Sequence, residues 1–128
     1  MRILLDTQML LWAATDKLPQ RAADYIENQQ NTLLFSSASI WEVVIKSGLG
    51  RADFKVDPSA LHSGLLSAGY QEIPVTGLHT LAIPTLPRLH KDPFDRILLA
   101  QSICEGVPFL TSDELISKYP GSVIFVPR

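Results

Sequence analysis

Short apolar runs, each too brief for a helix, alternate along this chain with longer segments whose apolar positions recur at helical spacing. The runs predict strands at residues 2–5, 33–35, 71–73, 109–110 and 122–126. Between them the pattern predicts helices at 7–13, 20–28, 39–47, 58–67, 77–81, 93–105 and 114–118. Such alternation is that of an α/β fold with a central, mainly parallel sheet. Local punctuation agrees. Asp57-Pro58 and Asp92-Pro93 each pair a helix N-cap with proline at the first helical position, where a missing N–H costs nothing. Gly48, Gly50, Gly69 and Gly106 fall where helices end.

With 128 residues, 46% hydrophobic and 19% charged, the chain reads as one domain over 1–128 that can bury a real core. It shows no internal repeat, low-complexity tract or linker. The opening Met1-Arg2-Ile3-Leu4-Leu5-Asp6 is too short an apolar run for a signal peptide, and no stretch approaches the roughly 20 apolar residues of a membrane span. A soluble, cytoplasmic protein with no membrane partner is expected. The single Cys104 excludes an internal disulfide, fits a reducing cytosol, and reads as a small core residue in the apolar stretch 97–107. Net charge is −2 and the pI about 5.8, so bulk electrostatics give no sign of nucleic-acid binding. A cation held by several acids would cancel part of that negative charge.

Four acids sit close to apolar runs: Asp6 after Ile3-Leu4-Leu5, Glu42 shortly after Leu33-Leu34-Phe35, Asp95 before Ile97-Leu98-Leu99, and Asp113 after Phe109-Leu110. In an open α/β sheet ligands gather outside the carboxyl ends of the strands. Carboxylates crowded there would repel one another, and a hard divalent cation, Mg²⁺ or Mn²⁺, relieves that repulsion. Each acid also has an ordinary structural explanation. Asp6, Asp92 and Asp113 can be N-caps, Ser39-Ile40-Trp41-Glu42 matches a capping box, and Asp95 in a first turn complements the helix dipole. Spacing alone leaves a metal site and a set of caps on equal terms.

Three segments break that tie: Ile3-Leu4-Leu5-Asp6-Thr7, the run from Ser36 through Trp41-Glu42 to Lys46, and especially His90-Lys91-Asp92-Pro93-Phe94-Asp95-Arg96-Ile97-Leu98-Leu99-Ala100-Gln101. In this order, and ending with Leu110-Thr111-Ser112-Asp113, the chain resembles the PIN-domain ribonucleases, in particular the VapC-type toxins of toxin–antitoxin pairs. The resemblance implies a three-layer α/β/α PIN-like domain with an acidic pocket for Mg²⁺ or Mn²⁺. Carried over by position, the family's acids fall on Asp6, Glu42, Asp95 and Asp113, with Asp92 a frequent addition. It also implies an RNA substrate, a VapB-like antitoxin and a homodimer. One departure is Gln8, where many relatives carry histidine after the aspartate-threonine pair; glutamine cannot titrate.

On this reading Asp6 and Asp95 are metal ligands, Asp113 a ligand directly or through water, and Glu42 a general base or water-orienting group. Asp92 holds its helix start. Thr7, Thr111 and Ser112 can bond waters or a phosphate, and turn chemistry explains them equally well. Arg88, His90, Lys91 and Arg96 are candidate phosphate contacts. Lys46 is either another or the i,i+4 partner of Glu42. Leu10, Leu11, Trp12, Leu49 and Phe54 belong to the core or to a groove for the antitoxin. The alternative function is a catalytically inactive PIN-like interaction module. A haloacid-dehalogenase phosphohydrolase is disfavoured because its second aspartate would stand at Gln8, and a response-regulator receiver because it wants adjacent acids after the first strand.

Overall fold

The computed structural model describes residues 1–50, 55–88 and 90–128. Its elements run β1 (Arg2–Leu5), α1 (Thr7–Ala14), α2 (Gln20–Glu27), β2 (Thr32–Ser36), α3 (Ser37–Gly48), α4 (Pro58–Ser67), β3 (Gln71–Ile73), α5 (Gly77–Ala82), α6 (Pro93–Glu105), β4 (Phe109–Thr111) and β5 (Val123–Phe125). Short 3-10 turns occupy Ile83–Thr85 and Ile116–Lys118; the second stands where a helix over 114–118 was expected. The strands form one parallel sheet in the order β3-β2-β1-β4-β5.

The alternation of side chains across a strand divides the core into two layers. Ile3, Leu5, Leu33, Phe35 and Leu110 face one side, against Met9 and Leu10 of α1, Ala22 of α2 and Leu61 and Leu65 of α4. Leu4, Leu34 and Phe109 face the other, against Leu98 and Leu99 of α6 and Ile116. With helices on both faces, the sheet is the middle layer of an α/β/α sandwich. Among the described residues no helix is long and apolar enough to cross a membrane.

Strand order fixes where a site can form. From β1 the chain builds outward through β2 to β3, then returns to lay β4 on the other side of β1. The crevice at the carboxyl ends of β1 and β4 is therefore the topological switch point, the usual ligand position in such sheets. Asp6 follows β1 there and Asp113 lies two residues past the end of β4.

Two sequence expectations change. Cys104 is exposed on the outer side of α6 rather than in the core, because the buried stripe of that helix is carried by residues 97–102. Helix α3 begins two residues early: Ser36 caps it by accepting from Ala38 N at 3.0 Å. Ser39 therefore lies inside the helix, and the expected capping box with Glu42 does not form. Gly106 ends α6 in the left-handed region, φ 65°, where a Cβ would crowd the following carbonyl. Gly106→Ala is expected to lower stability by about 1 kcal/mol in urea unfolding, with the m-value unchanged.

Candidate active site

Asp6 is the N-cap of α1 and is almost fully buried. Its Oδ1 accepts from Met9 N at 2.8 Å and its Oδ2 from Thr111 Oγ1 at 2.6 Å. Thr111, at the last position of β4, in turn accepts from Asp113 N at 3.0 Å, tying the acids of the two central strands together. Burial pushes the Asp6 carboxyl up to about 6; the Thr111 and Met9 bonds resist this, while Asp113 and Glu42 add to it.

Glu42 projects from α3, one turn beyond Ser39, whose hydroxyl accepts from Thr7 Oγ1 at 2.9 Å. Its Oε2 meets Lys46 Nζ at 2.7 Å, so the i,i+4 pair is formed. Its Oε1 is buried with no hydrogen-bond partner. A carboxylate oxygen left so costs on the order of 1–3 kcal/mol or more, a cost a bound ligand removes.

Asp92 caps α6, accepting from Phe94 N at 2.8 Å, and Asp95 stands in the first turn of that helix. Burial and the neighbouring Asp92 raise the Asp95 carboxyl to about 7, against the pull of His90 and with further contributions from Asp6 and Glu42. Asp113 accepts from Leu115 N at 2.9 Å, a local turn bond, and presents its other oxygen to the cleft. His90 Nδ1 accepts from Asp92 N at 3.1 Å, which leaves the hydrogen on Nε2. That nitrogen lies 3.1 Å from Asp95 Oδ2 and 2.9 Å from Asp113 Oδ2. The three ligand atoms fall within 4.8 Å of one another.

Asp6, Glu42, Asp92, Asp95 and Asp113 thus line one cleft of about 260 Å³, with Thr7, Gln8, Leu11, Lys46 and Ser112 between them. Five acids face one ammonium and one imidazole. Hard oxygen donors, two carboxyls driven upward by burial and crowding, and the orphaned Glu42 Oε1 together fit a divalent cation.

Not every expected residue comes to the cleft. Arg96 turns away: its Nη2 donates to Ile83 O at 3.3 Å, which anchors the turn before the His90 segment. His90 points inward at the acids instead of flanking them, because the Asp92 amide fixes one side of its ring. Arg88 is exposed and outside the cleft lining, and Lys91 lies on an adjoining shelf. Trp12 and Leu10 are core residues, with Arg128 stacked over the Trp12 ring at 5.1 Å, so they offer no surface to a partner. Leu11 is half-buried and lines the acidic cleft, Leu49 is exposed, and Phe54 lies outside the described residues. Thr111 reads from sequence as a contact for waters or a phosphate, or as a turn residue; its hold on the Asp6 carboxylate is what sequence reasoning missed. Its position at a strand end two residues before Asp113, and its hydroxyl, were the available signals.

By sequence, no curated protein matches this chain. Among solved structures it is similar to VapBC2 from Rickettsia felis bound to a DNA fragment from their promoter, at 18% identity over 98% of both chains and a TM-score of 0.75. DNA-bound VapBC from Salmonella typhimurium follows at 14% identity, 98% of both chains and 0.70. VapC20 of Mycobacterium tuberculosis, a sarcin–ricin loop cleaving toxin, is 17% identical, with 90% of this chain and 92% of that one covered and a TM-score of 0.65. At these identities the likeness is one of fold. The family model for the PIN domain matches residues 3–122, nearly the whole chain, and the switch-point cleft gathers acids from four separate stretches of it: the chain belongs to the PIN-domain family.

Proposed function

We propose that this chain is a divalent-metal-dependent endoribonuclease, the toxin of a type II toxin–antitoxin pair. The observation that carries the proposal is the convergence of Asp6, Glu42, Asp95 and Asp113 on one cleft, with the buried Glu42 Oε1 unpartnered. PIN-family membership and the fold shared with a sarcin–ricin loop cleaving toxin support RNA as substrate.

Asp6, Asp95 and Asp113 would hold the cation, Mg²⁺ or Mn²⁺. When bound, it neutralises charge on the scissile phosphate and polarises the phosphoryl group. The chain's own groups do the rest. Thr111 and the Met9 amide fix the Asp6 carboxylate in one orientation. Glu42 takes the proton of the attacking water, and Lys46 fixes one of its two carboxylate oxygens. The His90 Nε2–H steadies the Asp95 and Asp113 oxygens that face each other. Gln8 lines the cleft as a hydrogen-bonding group and takes no part in proton transfer. Purified protein should cleave RNA with Mg²⁺ or Mn²⁺ and not in chelator, and Glu42→Gln should reduce cleavage about 10²–10⁴-fold. Cleavage undiminished in chelator or in Glu42→Gln contradicts this function in favour of another chemistry, and absence of any cleavage leaves the interaction-module alternative.

The partner surfaces follow from exposure. Homodimerisation is assigned to the part of the apolar cleft of about 570 Å³ that Trp41, Val75, Thr80 and Ile83 line, since Trp41 is 62% exposed and apolar patches of this kind seek cover. Trp41→Lys should shift the chain from dimer to monomer in sedimentation; an unchanged dimer places the interface elsewhere. A VapB-like antitoxin would inhibit by inserting a basic side chain among the carboxylates, so raised Mg²⁺ should weaken inhibition.

A further inference from the structure

Beside the acidic cleft lies a second concavity of about 470 Å³, continuous with it through Glu42, Lys46 and Asp92. Its floor is apolar, made by Ile45 and Leu49 of the α3 end and by Pro93 and Phe94 at the start of α6, and Lys46 and Lys91 stand at its margin. Its volume is within the roughly 300–1,000 Å³ usual for small-ligand clefts. Phe94 meets Trp41 edge-to-face, centroids 5.1 Å apart and planes at 72°. A T-shaped partner covers at most one face of the Phe94 ring, and the ring is only partly buried. An aromatic ring and two ammonium groups beside an acidic cleft that cuts phosphodiesters form a surface of definite chemistry: apolar where a base would lie, cationic where a phosphate would lie.

Resting on the nuclease reading above, we propose that this shelf is the subsite for one unpaired nucleotide adjoining the scissile phosphate, its base stacked on Phe94 and its phosphate held by Lys91. The occupant must be single-stranded at that position, because a base paired and stacked in a helix cannot reach the ring. Stacking tolerates any base, so the shelf selects an unpaired nucleotide rather than a sequence. Lys91 adds affinity that screens with salt.

The test is a double cycle on the RNA and the protein. Binding of a single-stranded RNA oligonucleotide is followed by fluorescence anisotropy, with full-length chain in the Asp6→Asn background so that the RNA stays intact. An abasic residue placed in turn on either side of the mapped cleavage bond should weaken binding about tenfold at one position only. Phe94→Leu should lose the same factor with intact RNA and nothing further with the abasic RNA, while Phe94→Tyr restores binding. Lys91→Ala should weaken binding to every oligonucleotide alike and lessen the slope of log K against log salt by about 0.7. Melting temperature and sedimentation are recorded for each variant, so a folding or dimer defect is seen directly. Abasic and Phe94→Leu losses that simply add, or no abasic effect at either position, overturn the subsite. A Phe94→Leu effect that tracks only with loss of the dimer overturns it too and makes the shelf part of the interface. Wild-type protein that neither binds nor cuts RNA overturns the nuclease reading together with the subsite; cleavage with an indifferent Phe94 overturns the subsite alone.

Discussion

Asp6→Asn should abolish RNA cleavage, by at least about 10³-fold, while leaving the metal-free protein folded and, at pH 8, more stable than the wild type. Loss of activity is expected of any ligand. The gain in stability is the distinctive part, and it follows from the Asp6 surroundings. The carboxylate is buried, faces Asp113 and Glu42, and is raised to about 6 as a result. Asparagine is close in shape and carries no charge; its carbonyl oxygen accepts from Met9 N, while its amide nitrogen replaces the oxygen opposite Thr111 Oγ1, which must then accept instead of donating. Relief of burial and repulsion therefore outweighs any change in those bonds. Chelator-treated wild type and variant compared by thermal unfolding at pH 8 check this. A variant that melts well below the wild type would mean that Asp6 is a structural cap and nothing more.

Metal-free stability should also fall as pH rises from about 4 to about 7. The sign follows from the two raised carboxyls. Asp6 and Asp95 lose their protons near 3.8 in the unfolded chain, but only near 6 and near 7 in the folded one. Across that window the folded state holds protons that the unfolded state has released, so each step up in pH favours unfolding. Above about 7 the loss is complete; below about 4 it is absent. For Asp6, moved from 3.8 to about 6, the loss amounts to about 3 kcal/mol, or about 10 °C in melting temperature. Asp95 acts in the same direction. Millimolar Mg²⁺ or Mn²⁺ should restore stability at pH 8 and do far less at pH 5, where protons compete for the same oxygens. Unfolding curves in chelator, with and without the metal, test both halves. A stability that climbs from pH 5 to pH 8 without metal, in wild type but not in Asp6→Asn, would show the cleft to be satisfied by its own cations.

The inner strands of the sheet were legible because they are short and buried on both faces. Runs such as Ile3-Leu4-Leu5 and Leu33-Leu34-Phe35 have no polar side to disguise them, and Asp-Pro pairs mark the starts of α4 and α6. Asp6, Asp92 and Asp113 were legible because each follows a strand end or opens a helix. What sequence could not carry is the direction a side chain takes. Ser36 and Ser39 are equivalent as letters, and only the extended backbone at Ser36 makes it the cap. His90 and Arg96 flank the same acids in the chain, yet the Asp92 amide turns one toward them and the Ile83 carbonyl draws the other away. Trp12 is large and apolar near the start of the chain, but it sits on the buried side of α1, and burial is decided by elements far away in sequence.

The most direct test of the account is anomalous diffraction from crystals of the wild-type protein grown or soaked in Mn²⁺, with data collected at the manganese edge. A peak is expected in the cleft, bonded to carboxylate oxygens of Asp6 and Asp95, close to Asp113 and Glu42, and missing from Asp6→Asn crystals treated alike. An empty cleft at saturating Mn²⁺, or a peak elsewhere on the molecule that the Asp6 substitution leaves untouched, would contradict it.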